Sequence, residues 1–140
     1  MVRFLFVFLI IFSYMFALDI AVVKKVTGDV SLKRGDKTVV LKPGSSLKED
    51  DILVTKQNSS IGFIFHDGTM LSLGENSILK INRYIFKPLD KKFTLDVKLN
   101  KGQASFQSGK IGKLAPETVK FRVPDGIVGI RGTKFFVEVK

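Results

Sequence analysis

Ile61-Gly62-Phe63-Ile64-Phe65-His66-Asp67-Gly68-Thr69-Met70-Leu71-Ser72-Leu73 contains two short apolar runs that meet at an Asp-Gly pair. Asp-Gly between such runs is a strong hairpin signal, because both turn residues tolerate positive φ. The segment therefore predicts two antiparallel strands closed by a tight turn. The same rhythm continues in both directions along the chain. Upstream, Ile52-Leu53-Val54 leads into the polar turn Lys56-Gln57-Asn58-Ser59, and Val39-Val40-Leu41 leads into Lys42-Pro43-Gly44. Before these, Ile20-Ala21-Val22-Val23 and Val30-Ser31-Leu32 are separated by Thr27-Gly28-Asp29. Downstream come Ser77–Ile81, Phe93–Leu99 with strict alternation, Gly102–Phe106, Val119–Val123 and Phe135–Val139. Short β-branched and aromatic runs punctuated by turn residues read as strands. No helical apolar period interrupts them, so the predicted class is all-β.

Phe63–Gly74 (FIFHDGTMLSLG) can be laid over Phe121–Gly132 (FRVPDGIVGIRG). Each has an apolar strand ending at Asp-Gly, with a second glycine farther on. Repeated strand–turn–strand units fit a twisted, β-solenoid-like stack of short strands and hairpins. A β-sandwich is the alternative.

The chain has 140 residues, which suits one domain. It contains no cysteine. Disulfides, thiolate metal sites, a cysteine nucleophile and a lipid anchor on an N-terminal cysteine are thereby excluded. Met1-Val2-Arg3 gives a positive start, Phe4–Phe12 is wholly apolar, and Met15-Phe16-Ala17 precedes Leu18-Asp19. That is the build of a secretory signal, with cleavage expected after Ala17 and an uncleaved membrane tether as the alternative. As a helix, Phe4–Ala17 reaches roughly 21 Å at ~1.5 Å per residue. A bilayer core is about 30 Å thick, too thick for this segment to span. The expected organisation is a signal peptide at 1–17 and one exported domain at 18–140.

The formal charge is +10, and it is unevenly spread. Leu18–Leu79 is neutral, whereas Lys80–Lys113 carries nine basic residues against Asp90 and Asp96, a net of +7. An exported protein with such a segment suits an acidic protein, an anionic wall polymer or lipid headgroups better than nucleic acid. Lys91, Lys92 and Lys101 are the candidate binding residues within it. Tyr84, Phe86 and Phe93 are interleaved with them and belong either to that surface or to the core.

No enzyme constellation is legible. His66 is the sole histidine, which rules out a histidine-based metal cluster, and no metal or cofactor is expected. Glu49-Asp50-Asp51 reads as a solvated acidic turn. Asp29, Asp36, Asp67 and Asp125 each adjoin glycine, as turn-forming aspartates do. No stretch offers the alternating oxygen ligands of a calcium loop.

The C-terminal stretch Val123-Pro124-Asp125-Gly126 through Arg131-Gly132-Thr133-Lys134-Phe135 sets an arginine among apolar residues. An arginine so placed needs a carboxylate, and Asp67 or Asp125 could pair with it. Asp67, Gly68, Asp125, Gly126, Arg131, Gly132 and Thr133 are accordingly expected to be structural first.

With these motifs in order, the sequence resembles the FecR domain family. Val26-Thr27-Gly28-Asp29-Val30, Asp51-Ile52-Leu53-Val54-Thr55, Asp67-Gly68-Thr69, Leu99–Ala104 and Arg131-Gly132-Thr133-Lys134-Phe135 carry the likeness. Asp50 stands where the family usually has glycine, and Val123 where it has threonine. The resemblance implies a twisted all-β periplasmic module that engages a protein partner in envelope signalling, without catalysis. The family's namesakes hold sigma factors through a cytoplasmic segment. This chain is expected to be the periplasmic module alone, with no direct sigma-factor contact. A structural envelope protein that binds anionic polymer or lipid is the alternative.

Overall fold

The computed structural model describes residues 18–130 and 134–140. The expected signal peptide and the triplet Arg131, Gly132 and Thr133 lie outside the described residues.

The strands are β1 (Ala21–Thr27), β2 (Val30–Arg34), β3 (Lys37–Val40), β4 (Ser46–Leu47), β5 (Ile52–Thr55) and β6 (Ser60–Phe65). They continue with β7 (Met70–Leu73), β8 (Ile78–Lys87), β9 (Lys92–Gln107), β10 (Val119–Val123), β11 (Gly126–Val128) and β12 (Lys134–Val139). A short helix, α1 (Lys110–Leu114), and a 3₁₀ turn at Pro116–Thr118 separate β9 from β10, and another 3₁₀ turn at Pro88–Asp90 joins β8 to β9. The all-β class is what the sequence predicted. The short helix was not foreseen, because five residues are too few to show a period.

The strands form one continuous curled sheet in the order β3-β2-β5-β8-β9-β7-β6-β1-β4, with β10, β11 and β12 branching from β9. All ladders are antiparallel except β9 with β10. The curl originates in β9. Its first half pairs with β8 and β10, while its second half, Gly102–Gln107, pairs with β7 and β12. The predicted strands Phe93–Leu99 and Gly102–Phe106 are thus one bent strand. The bend lies at Gly102, whose φ is +98°, and a Cβ there would collide with Ser77. Only glycine permits both the dihedral and the close approach.

The bend divides the sheet into two leaves. The first holds β4, β1, β6, β7, the end of β9 and β12; the second holds β3, β2, β5, β8, the start of β9, β10 and β11. Alternation decides what each strand places inside. In β6, Ile61, Phe63 and Phe65 are buried while the residues between them are half-buried. Leu53 in β5 and Leu95, Val97 and Leu99 in β9 do the same for the second leaf. Both inner faces meet in one hydrophobic cluster. Phe106 stacks on Phe135 at 4.8 Å and meets Phe121 edge-on at 6.2 Å, tying the leaves together. The alternation also fixes which side chains point outward, and it is on the outer faces that the two leaves differ.

Candidate functional site

Four polar residues of the motifs, Asp51, Thr55, Asp67 and Thr69, are buried and satisfied. Asp67, 2% exposed, closes the β6–β7 turn. Its Oδ1 accepts from the Tyr84 hydroxyl at 2.9 Å and from the Thr69 N–H at 3.3 Å. Its Oδ2 accepts from Thr69 Oγ1 at 2.7 Å and from the Ile111 N–H at 3.0 Å. The Tyr84 oxygen in turn accepts the Asp67 N–H at 2.9 Å. Four donors fill the lone-pair positions of a carboxylate, so Asp67 pins the turn to β8 and to the start of α1. Burial, together with the adjacent carboxylate, pushes the Tyr84 hydroxyl far above the ordinary tyrosine range. Gly68 completes the turn at φ +90°.

Asp51 forms a second buried node. The Arg34 guanidinium donates to it through Nε at 2.9 Å and Nη2 at 2.8 Å, and the Lys48 N–H adds a third bond at 2.8 Å. The hydrogen bond to Asp51 holds Arg34 above its ordinary pKa, against the opposing effect of burial. Glu49 accepts the Tyr84 N–H at 2.9 Å. The run Glu49-Asp50-Asp51 is therefore not simply a solvated turn; Asp51 is fully buried and only its neighbours reach solvent. Thr55, the last residue of the same motif, donates to the Gly74 carbonyl at 2.6 Å and accepts from the Ser77 N–H at 2.9 Å. Among the described residues, no group of three histidine, aspartate or glutamate side chains is arranged to hold a metal ion.

The second Asp-Gly pair behaves differently. Asp125 and Gly126 are exposed at the β10–β11 turn. The expected partnership of Arg131 with Asp67 or Asp125 lies outside the described residues. The aromatics Tyr84, Phe86 and Phe93 belong to the core side: Tyr84 stacks on Phe65 at 4.9 Å, and Phe86 packs near Phe93 at 6.1 Å.

The candidate binding lysines do not converge. Lys91 and Lys92 lie at the tip of the β8–β9 hairpin, beside Leu89, which is 99% exposed. Lys101 lies at the opposite end of the same ladder, opposite Ile78. Nine strand positions separate Lys92 from Lys101, about 30 Å at ~3.3 Å per residue.

What the ladder does assemble is a transverse row on the outer face of the second leaf. Lys33 in β2 is opposite Ile52 in β5, Ile52 opposite Lys80 in β8, Lys80 opposite Lys98 in β9, and Lys98 beside Arg122 in β10. Arg122 donates to Asp96 through Nε at 2.9 Å and Nη2 at 3.0 Å, and Asn82 Nδ2 adds 3.0 Å. Burial alone would raise the Asp96 pKa, but these hydrogen bonds and the charges of Arg122 and Lys120 hold it below the usual carboxylate range. Lys33 and Arg122 fall outside the Lys80–Lys113 segment and were missed as surface partners. Strand alternation marks both as outward-facing, but only the pairing of strands reveals that they share a row.

The outer face of the first leaf has the opposite character. Gly62, Ser72, Ser105 and Phe136 form one cross-strand row over β6, β7, β9 and β12. Gly62 and Ser72 leave a shallow trough of about 350 Å³ beside Lys24, Lys25 and Met70, and Ser72, Gly74 and Ser105 leave a second of about 190 Å³ beside Phe136. Phe136 is 64% exposed and Met70 45% exposed. Among the described residues, β12 pairs only with β9, so its other edge is open.

The family model for the FecR protein matches residues 51–140. No curated protein and no solved structure matches the chain.

Proposed function

This chain belongs to the FecR protein family, a family of regulatory and signalling modules, and on that premise we propose that it is an exported, non-enzymatic binding and sensor module whose first leaf engages a protein partner in the cell envelope. One observation carries the assignment of the face: Met70 and Phe136 stand exposed beside two adjoining troughs lined by glycine and serine. Apolar anchors beside small residues are how protein partners bury area closely, and aromatic and methionine side chains are enriched at interface cores. The open edge of β12 adds main-chain donors and acceptors that an incoming strand can use. The buried polar nodes support the non-enzymatic part, because Asp51, Asp67, Thr55 and Ser77 all have their hydrogen bonds satisfied within the scaffold. Localisation in the periplasm follows the family's usual placement and the signal-like segment at 1–17. Among the described residues, no helix is long and apolar enough to cross a membrane.

Site-specific photo-crosslinking in the native envelope tests the assignment. A photoreactive residue at position 136 should give one discrete protein adduct that survives high salt, since apolar contacts are not screened. The same probe at Thr38, on the far edge of the second leaf, should give none. Equal adduct patterns at both positions, or none at 136, would remove the first leaf as the interface.

A further inference from the structure

We infer that the outer face of the second leaf is a binding track for a linear anionic polymer, laid across the strands along Lys33, Lys80, Lys98 and Arg122. The inference is independent of the protein partner proposed for the first leaf, because it rests on a different face and a different chemistry.

The row is a consequence of register. Lys80 and Lys98 are direct antiparallel partners, Lys98 is the parallel neighbour of Arg122, and Lys33 joins through Ile52. Adjacent strands lie about 4.8 Å apart, so the four cations extend over roughly 19 Å across five strands. Like charges placed directly opposite each other destabilise a sheet. Here that repulsion is not relieved internally. The ion pairs among the described residues are Arg34–Asp51, Lys48–Asp19 and Arg122–Asp96, so Lys33, Lys80 and Lys98 take part in none of them. Asp96 lies beside the row, and Arg122 and Asn82 already occupy it. A fold that keeps Lys33, Lys80 and Lys98 outside its ion pairs in one row is suited to neutralisation by an external anion.

The shape of the charge selects the kind of anion. On one side the row is bordered by Val54 and Ile78, and on the other by Asn82 and by Asp96 with the exposed Arg83 and Lys120 paired across the ladder on either side of it. The positive region is therefore a band several strands long, one side chain wide over β2 and β5 and two side chains wide from β8 to β10. A plane of lipid headgroups would call for charge spread evenly in two dimensions, while a chain with repeating negative groups can follow a narrow band. Lysine ammonium groups on flexible stems suit such a chain, since each acts as a mobile point charge on successive anionic groups.

Long-chain inorganic polyphosphate serves as the probe, with the domain of residues 18–140 from the full exported protein. Binding should be measurable by titration and should fall steeply with salt, as expected when several phosphate–cation contacts release counterions. Lys80→Glu combined with Lys98→Glu should weaken it at least tenfold. Lys91→Glu combined with Lys92→Glu makes the same net charge change at the hairpin tip and should weaken it less than threefold. Lys80→Glu alone supplies a second readout: it places opposite charges across the ladder, so it should raise Tm while lowering polymer affinity. Equal losses from the two double variants would overturn the track, since net charge alone would then explain binding. Preference for vesicles of phosphatidylglycerol over polyphosphate, or no polyphosphate binding by the folded wild type, would overturn it as well. Crosslinking at position 136 is unaffected by any of these outcomes.

Discussion

Two hairpins in this molecule turn on the same dipeptide, and they are held in place by different physics. In the β6–β7 hairpin, the aspartate of Asp67-Gly68 is buried and accepts four hydrogen bonds from Thr69, Tyr84 and Ile111. In the β10–β11 hairpin, Asp125-Gly126 stands in solvent, and the anchor is the half-exposed ion pair of Arg122 with Asp96 one strand away. The local turn signal is the same in both. The difference is what packs around it: β8 and α1 close over the first turn, and nothing among the described residues closes over the second. An identical dipeptide can thus be a structural keystone in one place and a replaceable turn in another.

The sharpest way to test the contrast is to remove the first carboxylate. Asp67→Ala leaves the Tyr84 hydroxyl, the Thr69 hydroxyl and two main-chain N–H groups without an acceptor. The expected loss is about 3–5 kcal/mol, measured by urea unfolding. A loss below about 1 kcal/mol would show that water replaces the carboxylate and that the two hairpins are alike.

Tyr84→Phe probes the same node from the other side. It removes one donor to Asp67 Oδ1 and the acceptor of the Asp67 N–H while keeping the ring stacked on Phe65. About 1–3 kcal/mol should be lost, with near-native far-ultraviolet circular dichroism.

The second hairpin should respond weakly, and in a manner set by pH. Because the folded Asp96 carboxyl lies below its unfolded value, its contribution is complete above the ordinary aspartate range near pH ~4. It is lost as pH falls through the depressed folded value. Asp96→Asn should cost no more than about 1 kcal/mol at neutral pH, because a half-exposed pair is screened. That cost should shrink in high salt and vanish at low pH, as followed by thermal melts across pH. A cost that persists in acid would mean that the carboxylate acts through shape rather than charge.

The smallest effect belongs to Asp125→Ala, expected to stay within about 0.5 kcal/mol of wild type. An effect comparable to Asp67→Ala would point to a partner for Asp125 in the segment 131–133.

Much of the fold was legible before any coordinates. The alternation in Ile61–Phe65 and Phe93–Leu99 decides which residues go inward, and Asp-Gly and Thr-Gly-Asp mark where strands reverse. The family motifs were legible too, and the model match over residues 51–140 agrees with them. The candidate site was legible only as a surplus of charge. Lys91, Lys92 and Lys101 share a short stretch of sequence, yet a long hairpin holds them at opposite ends. Conversely Lys33 and Arg122 are 89 positions apart in the chain and lie in one row.

The sequence by itself determined the all-β class, the turns, the alternation of strands such as Phe93–Leu99 and the family, because all of these follow from neighbours along the chain. Tertiary structure decided which strands became adjacent, where β9 bends over Ser77, and therefore which outward residues meet. The reason is physical: alternation assigns a side chain to a face with period two, but the partner across the ladder is chosen by burial of the whole core. The cationic row and the trough beside Phe136 are by-products of that global choice, and neither is encoded in any single segment.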